Sequence, residues 1–410
     1  MDTFESRPSA CSTTLSLVAA ALLALGVVMV FSAGANLSAP PITQDPIKNP
    51  AVRQAGFTLV ALVAMLTVGL IPYRFWRIRK QSWFQPAVFL LLITLGLLAA
   101  VLVPGIGERR NGALRWLSLG PLGFQPSELG KLAMVVFTAG MCARMKDRLE
   151  NFWTGLLPVV AVQAVLAGLV GKEDFGTAAL LLAVGGGVLL ASRAKFWHLA
   201  LLTLPALPAM GYLAFAKAYR VERLMSFLHP EADPGGKGYH QMQSLITIAS
   251  GGWWGRGVGG GIQKYGYLPE ARSDFIFAVI CEELGVVGGA LVIALFVTLV
   301  WQGRKAMLAA GTEFGRLLAL GATLTLGLQA AMNIAVVTVS VPTKGIALPM
   351  VSAGGTGVVI LSVLVGMLIN VARRRPTTLA ALDGGTKQRS MQIAPQLPPD
   401  ALASGALAPA

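Results

Sequence analysis

Acidic and basic side chains stand at the starts of several apolar segments of the sequence, where keeping such groups is costly. Glu128 and Lys131 open one segment at i, i+3 spacing, which places them on the same helix face. Asp174 and Asp274 open two later segments. Two further carboxylates lie about two turns deeper in the last segment: Glu282 and Glu283. Such carboxylates can accept protons or orient cations, and the alternative for each is a helix cap or a buried ion pair that fixes packing.

The longest stretch without a sustained apolar run covers residues 217–274. It contains Asp233 directly before a proline, then Lys237, and then a glycine-dense run, Gly251–Gly261, with two adjacent tryptophans. Long loops without secondary structure are uncommon unless they have a function, and paired tryptophans are typical of a membrane interface. The alternative is a flexible surface loop, against which the aromatic residues argue.

Basic residues are plentiful in this loop and in the other loops predicted below to share its side of the membrane. Guanidinium groups bind phosphates through two hydrogen bonds, so a basic cluster near the headgroup level favours an anionic ligand such as a lipid phosphate or pyrophosphate. The residues concerned are Arg109, Arg110, Arg115, Arg220, Arg223, Lys237, Arg256, Lys264, Arg272 and Lys344.

The elements that position these residues are predicted to be membrane-spanning helices. Of the 410 residues, 55% are hydrophobic and only 13% are charged, and the mean hydropathy is +0.67. This composition excludes a soluble enzyme, and the apolar runs are long enough to cross a bilayer. The net charge of +14 does not indicate nucleic-acid binding, because the basic residues form short clusters between apolar runs. The predicted fold class is therefore an all-α integral membrane protein with ten helices: 14–32, 55–72, 85–103, 127–143, 153–170, 175–191, 196–216, 275–300, 313–338 and 350–371.

Clusters of Lys and Arg in alternate loops predict the orientation of these helices. The loops at residues 74–80, 144–148, 193–195, 304–316 and 373–375 carry them, so these loops and both termini are expected on the cytoplasmic side. The opposite loops are then expected to face outward: 33–54, 104–126, 171–174, 217–274 and 339–349. Residues 1–375 form one predicted membrane domain, and residues 376–410 have the composition of a disordered cytoplasmic tail. The three cysteines show neither a disulfide framework nor zinc spacing.

Four segments in the expected outward loops resemble motifs of the SEDS family (shape, elongation, division and sporulation), the membrane glycosyltransferases that build peptidoglycan. The resemblance covers nearly all of the chain before the tail, and the four segments that carry it stand in the family's order. They are Arg115-Trp116-Leu117 with Phe124-Gln125-Pro126-Ser127-Glu128 and Lys131; Asp174-Phe175-Gly176-Thr177; Asp233-Pro234 through Gly238-Tyr239 to Tyr267-Leu268-Pro269-Glu270 and Asp274-Phe275-Ile276-Phe277; and Pro342-Thr343-Lys344-Gly345 with Leu348-Pro349 and Ser352-Ala353-Gly354-Gly355-Thr356.

The Thr343-Lys344-Gly345 sequence is more similar to the division branch of this family than to its elongation branch. The chain departs from the family pattern at four places. Leu114 stands where a first Arg is usual, Lys172-Glu173 where Gln-Pro is usual, Arg272-Ser273 where His-Thr is usual, and Ala353 where Tyr is usual.

The resemblance implies a polymerase on the outer face of the bacterial cytoplasmic (inner) membrane. The 4-hydroxyl of an incoming lipid II attacks the lipid-linked end of the growing strand, and undecaprenyl pyrophosphate leaves. Asp233 corresponds to the family's essential aspartate and is the expected general base, the alternative being a turn-forming Asp before Pro234. Lys131, Arg115 and Lys237 are expected to contact the pyrophosphate, with Glu128 orienting Lys131. The other expected substrate-binding residues are Trp116, Lys264, Asp274 and Lys344.

The resemblance also implies partners: a class B penicillin-binding protein that crosslinks the strands, and other division proteins. No nucleic acid is expected. A divalent cation at the leaving pyrophosphate is compatible with this chemistry, but the sequence displays no set of metal ligands. Two other functions stay open, a flippase for lipid-linked precursors and a non-catalytic division scaffold. A flippase would carry its polar residues near the bilayer midplane, whereas here they concentrate in the outward loops.

Overall fold

A computed structural model describes residues 9–34, 49–79, 85–110, 113–119, 122–201 and 238–373. It also describes the isolated positions 204, 211, 221, 225–227 and 236. Asp233, Lys237 and the tail from residue 376 onward therefore lie outside the described residues.

Ten α-helices form the body of the described chain, and their bounds follow the apolar runs of the sequence. They are α1 (Ala10–Gly34), α2 (Pro50–Leu70), α3 (Pro86–Val101), α4 (Pro126–Arg144), α5 (Leu157–Gly171), α6 (Phe175–Leu190), α7 (Tyr239–Ser250), α8 (Ile276–Leu308), α9 (Glu313–Val337) and α10 (Gly355–Arg373). Proline at the first position begins α2, α3 and α4. An N–H group at this position has no acceptor within the helix, so proline loses no hydrogen bond there. Side-chain caps from Asp174 and Thr312 begin α6 and α9.

Nine of the ten predicted helices have a counterpart among these elements. The predicted helix 153–170 starts as a π-helical turn, Phe152–Leu156, and continues as α5. Of the predicted helix 196–216, the structure describes a helical stretch at 196–201, and most of the remainder lies outside the described residues. The sequence did not predict α7, which lies within the loop 217–274.

Six of the helices are long and apolar enough to cross a membrane, namely α1, α2, α5 with its π-helical turn, α8, α9 and α10. Two shorter helices, α3 and α6, are also apolar. The chain is thus a multi-pass membrane protein. Glycines allow its helices to approach closely, as small residues do in lipid: a Cβ at Gly366 of α10 would lie 2.5 Å from the Met65 carbonyl oxygen of α2.

A three-stranded antiparallel sheet lies between α3 and α4, in a segment that was predicted only as a loop. Its strands are β1 (Gly107–Arg110), β2 (Ala113–Leu119) and β3 (Leu122–Phe124), in the order β1-β2-β3. An irregularity in the β1–β2 register occurs between Glu108 and Arg109. The central strand carries Arg115 and Trp116.

Helix α8 is broken at Gly285, whose φ of +71° is rare for residues with a side chain. The glycine-dense run fills this break. The Arg256 and Gly257 N–H groups each donate to a backbone carbonyl of α8, those of Glu282 and Glu283, at 3.0 Å. In return, the Val286 N–H donates to the Gly252 carbonyl at 2.9 Å. The run 251–261 is therefore an ordered part of the fold and not a flexible loop.

The carboxylates of Glu282 and Glu283 are buried and hold the same loop. Glu283 accepts hydrogen bonds from the Ser32 hydroxyl, at 2.6 and 2.7 Å, and from the Gly259 N–H at 3.0 Å. Glu282 accepts one from the Ile262 N–H at 2.9 Å. These bonds join α1, α8 and the glycine-dense run, so the contacts favour the structural role for this pair.

The close approach of this run to α8 predicts a large cost for one methyl group. Gly255 has φ +79°, and a Cβ there would overlap the Glu283 carbonyl. We expect Gly255→Ala to destabilise the protein by on the order of 3 kcal/mol, from backbone strain and overpacking together. Thermal unfolding in detergent measures this. Gly259→Ala is the matched control, because Gly259 has φ +83° with open space around it. Equal losses of stability in the two variants would show that the close approach of Gly255 to α8 does not contribute to the cost.

Candidate active site

A cavity of about 990 Å³ opens where the first turns of α4, α6 and α10 and the N-cap of α8 converge. The hairpin β1–β2, the segment 269–275 and the loop 338–354 complete its walls. Its polar and charged lining residues are Arg115, Gln125, Glu128, Lys131, Thr177, Ser226, His240, Glu270, Ser273, Asp274, Gln329, Thr343, Lys344, Ser352 and Thr356. The rest is mainly apolar and comes from β2, α6, the segment 269–275, the loop 338–354 and α10, so one ligand could meet both apolar and charged surface.

The converging helix starts favour a negatively charged ligand. The N-terminal end of an α-helix carries a partial positive charge and N–H groups without a partner inside the helix. Gln125, Thr177, Phe275 and Thr356 lie at or within two residues of four such ends, and all four line the cavity. Three cationic side chains add to this field.

Lys131 forms a closed polar cluster at the inner end of the cavity. Its ammonium group donates to Glu128 Oε1 at 2.7 Å and to Gln329 Oε1 at 2.8 Å, and only 3% of its side chain is exposed. Gln329 donates in turn to the Ala347 carbonyl at 2.9 Å. Glu128 Oε2 is buried and has no hydrogen-bond partner among the described residues. The Glu128–Lys131 pair predicted from i, i+3 spacing is confirmed as an ion pair. Gln329 of α9 adds a third polar side chain to this cluster.

Asp174 connects the start of α6 to the sheet. Its carboxylate caps the helix by accepting the Thr177 N–H at 3.0 Å and the Thr177 hydroxyl at 2.9 Å. Arg115 reaches the same carboxylate at 3.4 Å and donates to the Glu173 carbonyl at 2.7 and 3.1 Å. Arg115 is thereby held at the cavity wall by the loop 171–174.

Lys344 approaches the same helix start from the loop 338–354. Its ammonium group lies 5.1 Å from the centre of the Phe175 ring, a cation–π contact. Burial lowers the pKa of Lys344 below its ordinary value, and the nearby Asp174 carboxylate opposes that shift.

The segment 272–274 and the loop 338–354 are tied to each other, which fixes the remaining wall. The Ser352 hydroxyl donates to the Ser273 carbonyl at 2.6 Å, and the Ala353 N–H donates to the Arg272 carbonyl at 2.8 Å. Asn333 of α9 donates to the carbonyls of Asp274 and Ile346 at 2.8 and 2.7 Å. Ala353 and Arg272, two of the departures from the family motifs, thus meet through backbone atoms that any residue provides.

Six of the nine predicted site residues line this cavity: Arg115, Trp116, Glu128, Lys131, Asp274 and Lys344. Lys264 stands in a 3-10 turn, Gln263–Tyr265, and its side chain is outside what the structure describes. Asp233 and Lys237 are outside the described residues altogether. The described His, Cys, Asp and Glu side chains include no group of three or more that could hold a metal ion.

Several lining residues were given no role from the sequence. His240 directly follows the motif residues Gly238-Tyr239, and a role in the site could have been inferred from this position. Gln329 is a polar residue within the predicted helix 313–338 and belongs to none of the motifs. Its place beside Lys131 depends on how α9 packs against α4, and no local pattern reveals that packing.

The sequence is similar to a family of membrane cell cycle proteins. A family model for the cell cycle proteins FtsW, RodA and SpoVE matches residues 12–377. A Geobacter sp. (strain M18) protein named "Probable peptidoglycan glycosyltransferase FtsW" is 39% identical over 359 residues, covering 87% of this chain and 95% of that protein. A protein of the same name from Halomonas elongata is 39% identical over 394 residues, covering 93% and 96%.

Solved structures share the architecture. A chain solved in work on the structural coordination of polymerization and crosslinking by a peptidoglycan synthase complex has a TM-score of 0.70 and 28% identity, over 88% of this chain and 96% of that chain. The rod shape determining protein RodA of Thermus thermophilus has a TM-score of 0.60 and 26% identity, over 88% and 95%.

Proposed function

Because the chain belongs to the family of cell cycle proteins that contains FtsW, RodA and SpoVE, we propose that it is a division-type peptidoglycan glycosyltransferase. It transfers the growing lipid-linked glycan strand onto the GlcNAc 4-hydroxyl of lipid II and releases undecaprenyl pyrophosphate. The observation that carries this proposal is the cavity, where Arg115, Lys131 and Lys344 and four helix starts surround a space large enough for a sugar–pyrophosphate group.

The reaction needs a proton acceptor and stabilisation of a leaving anion. The O4–C1 bond forms while the bond from C1 to the pyrophosphate oxygen breaks, and the hydroxyl proton passes to a base. We assign Asp233 as that base, on the strength of its position in the family motif. A positioned base contributes roughly 10²–10⁴-fold. The pyrophosphate leaves with its electron pair, so it needs positive charge and no proton.

The described side chains divide these tasks by their positions. Arg115 and Lys344 flank the start of α6, and this arrangement suits two oxygens of one pyrophosphate. Lys131 is more deeply buried, is held by Glu128, and adds positive charge to the cavity. Trp116 offers a flat apolar surface, and Asp274 adds a carboxylate to the cavity lining. Lys237 and Lys264 complete the proposed substrate-binding set.

The proposed orientation puts the cavity on the outer side of the cytoplasmic membrane, with both termini in the cytoplasm. Its support is the alternation of the loops that carry Lys and Arg clusters, at residues 74–80, 144–148, 193–195, 304–316 and 373–375. Cysteines introduced at the exposed positions Gly236 and Gly345 should react with an impermeant thiol reagent added outside intact cells, and a cysteine at Lys146 should not. Outside labelling at Lys146 would refute this orientation.

We further propose that the polymerase works with a class B penicillin-binding protein, as the work on a related synthase complex supports. The deciding assay is polymerisation of labelled lipid II by the purified protein, with and without such a partner. We expect glycan strands in the presence of the partner. Transport of lipid II across proteoliposomes without polymer would indicate a flippase, and neither activity would indicate a scaffold.

A further inference from the structure

His240 is the one described histidine that lines the cavity. It stands in the first turn of α7, and its ring stacks on Phe275 with centroids 6.1 Å apart and planes 21° from parallel. Phe275 is buried at the N-cap of α8. The imidazole is therefore held in a fixed plane at the cavity wall and is half-buried.

The cations of the described cavity lining already lie beside carboxylates. They are Arg115, Lys131 and Lys344, and the same lining carries the carboxylates Glu128, Glu270 and Asp274. Arg115 and Lys131 are already paired with carboxylates, and Lys344 faces Asp174. A pyrophosphate diester brings two negative charges into this space. A further positive charge at the wall would consequently favour its binding.

Charged residues belong to several of the elements around His240. Glu270 and Asp274 belong to the segment that ends at its stacking partner. Arg272 lies in the same segment but outside the cavity lining, and Arg115 and Lys344 stand on other walls of the cavity. The described part of α7 has no other charged side chain, and α9 presents the uncharged Asn333 and Gln329. Imidazole is the side chain whose ordinary pKa lies between pH 5 and 8.

We propose that His240 is a further substrate-binding residue, whose imidazolium contacts the pyrophosphate of the lipid-linked sugar. This inference rests on the proposed function, since it deepens the ligand chemistry of the same cavity. If the ligand favours the protonated imidazole, its binding raises the pKa of that imidazole. Affinity is then full below the pKa of the free protein and falls as the pH rises through the pKa of the complex.

The test is the affinity of the purified full-length protein for labelled lipid II, measured from about pH 5.5 to about pH 8. A pyrophosphate diester has no titrating group in that range. We expect the wild-type affinity to fall by about tenfold with rising pH, the effect of one charge-assisted hydrogen bond. His240→Gln should bind with the weaker affinity at every pH, and His240→Arg should bind with the tighter affinity at every pH.

His198→Gln is the matched control, because His198 packs against Phe152 and does not line the cavity. Melting temperatures of all variants separate binding from folding. A His240→Gln protein with the wild-type pH dependence overturns this inference and leaves the proposed function standing. A wild-type protein that does not bind lipid II at any pH overturns the proposed function, and this inference with it.

Discussion

Asp233→Asn should reduce glycan polymerisation by roughly 10²–10⁴-fold, the contribution of a positioned general base. Asparagine has nearly the same size and can still form a turn before Pro234, because Asn and Asp share that tendency. A structural Asp233 would therefore tolerate the change. Lipid II affinity should change much less than the rate, since a base acts mainly in the transition state.

The measurement is strand synthesis by the purified variant with the proposed penicillin-binding partner, beside lipid II affinity and melting temperature. Asp147→Asn is a suitable control, because the side chain of Asp147 is 93% exposed and lies in the loop 145–151, which follows the end of α4 that is remote from the cavity. Near-normal synthesis by Asp233→Asn would refute the base assignment and direct attention to Asp274 and Asp174. Weaker affinity with an unchanged maximal rate would make Asp233 a substrate-positioning residue.

Lys131→Met should lower stability by about 3–5 kcal/mol, because it leaves the Glu128 carboxylate largely buried without its cation. The melting temperature of the purified protein reports this loss. The double variant Glu128→Gln with Lys131→Met removes both charges and should recover most of the stability. These two proteins separate the structural contribution of the ion pair from its use by a ligand.

The same double variant decides whether the cavity needs the Lys131 charge. We expect its stability to return while lipid II polymerisation stays low, because the ammonium group is part of the field around the pyrophosphate. Near-normal polymerisation by the stable double variant would contradict this and would make the pair a packing element only. Glu128→Gln alone keeps an acceptor for Lys131 and serves as the intermediate comparison.

The helices were predictable because each depends on one long apolar run, and such runs are visible in the sequence. Helix α7 was not, since it has only 12 residues and a mixed composition within a glycine-rich loop. The sheet β1–β3 was not predicted for a similar reason, as its strands are short and two of them carry charges. The break at Gly285 lies inside a predicted helix, just after Glu282 and Glu283, and only the loop that inserts there explains it.

The topology predicted that the site residues lie together, because loops on the same side of a helix bundle are close to each other. Arg115, Asp274 and Lys344 come from three different outward loops, and they do line one cavity. Their individual partners were not predictable. The contact of Arg115 with the Glu173 carbonyl depends on how the hairpin meets the loop 171–174. His240 enters the cavity through the geometry of α7, which the sequence did not indicate.

The broken helix α8 also has a length that bears on where the chemistry takes place. Its 33 residues measure about 50 Å, whereas the hydrocarbon core of a bilayer is about 30 Å thick. The part after the break, residues 286–308, is about 34 Å long, which is enough to cross that core by itself. If it does so in the proposed orientation, the part before the break, with the cavity at its N-cap, lies at the level of the lipid headgroups. A substrate anchored by a polyprenyl tail would then meet the cavity while its tail stays in the lipid.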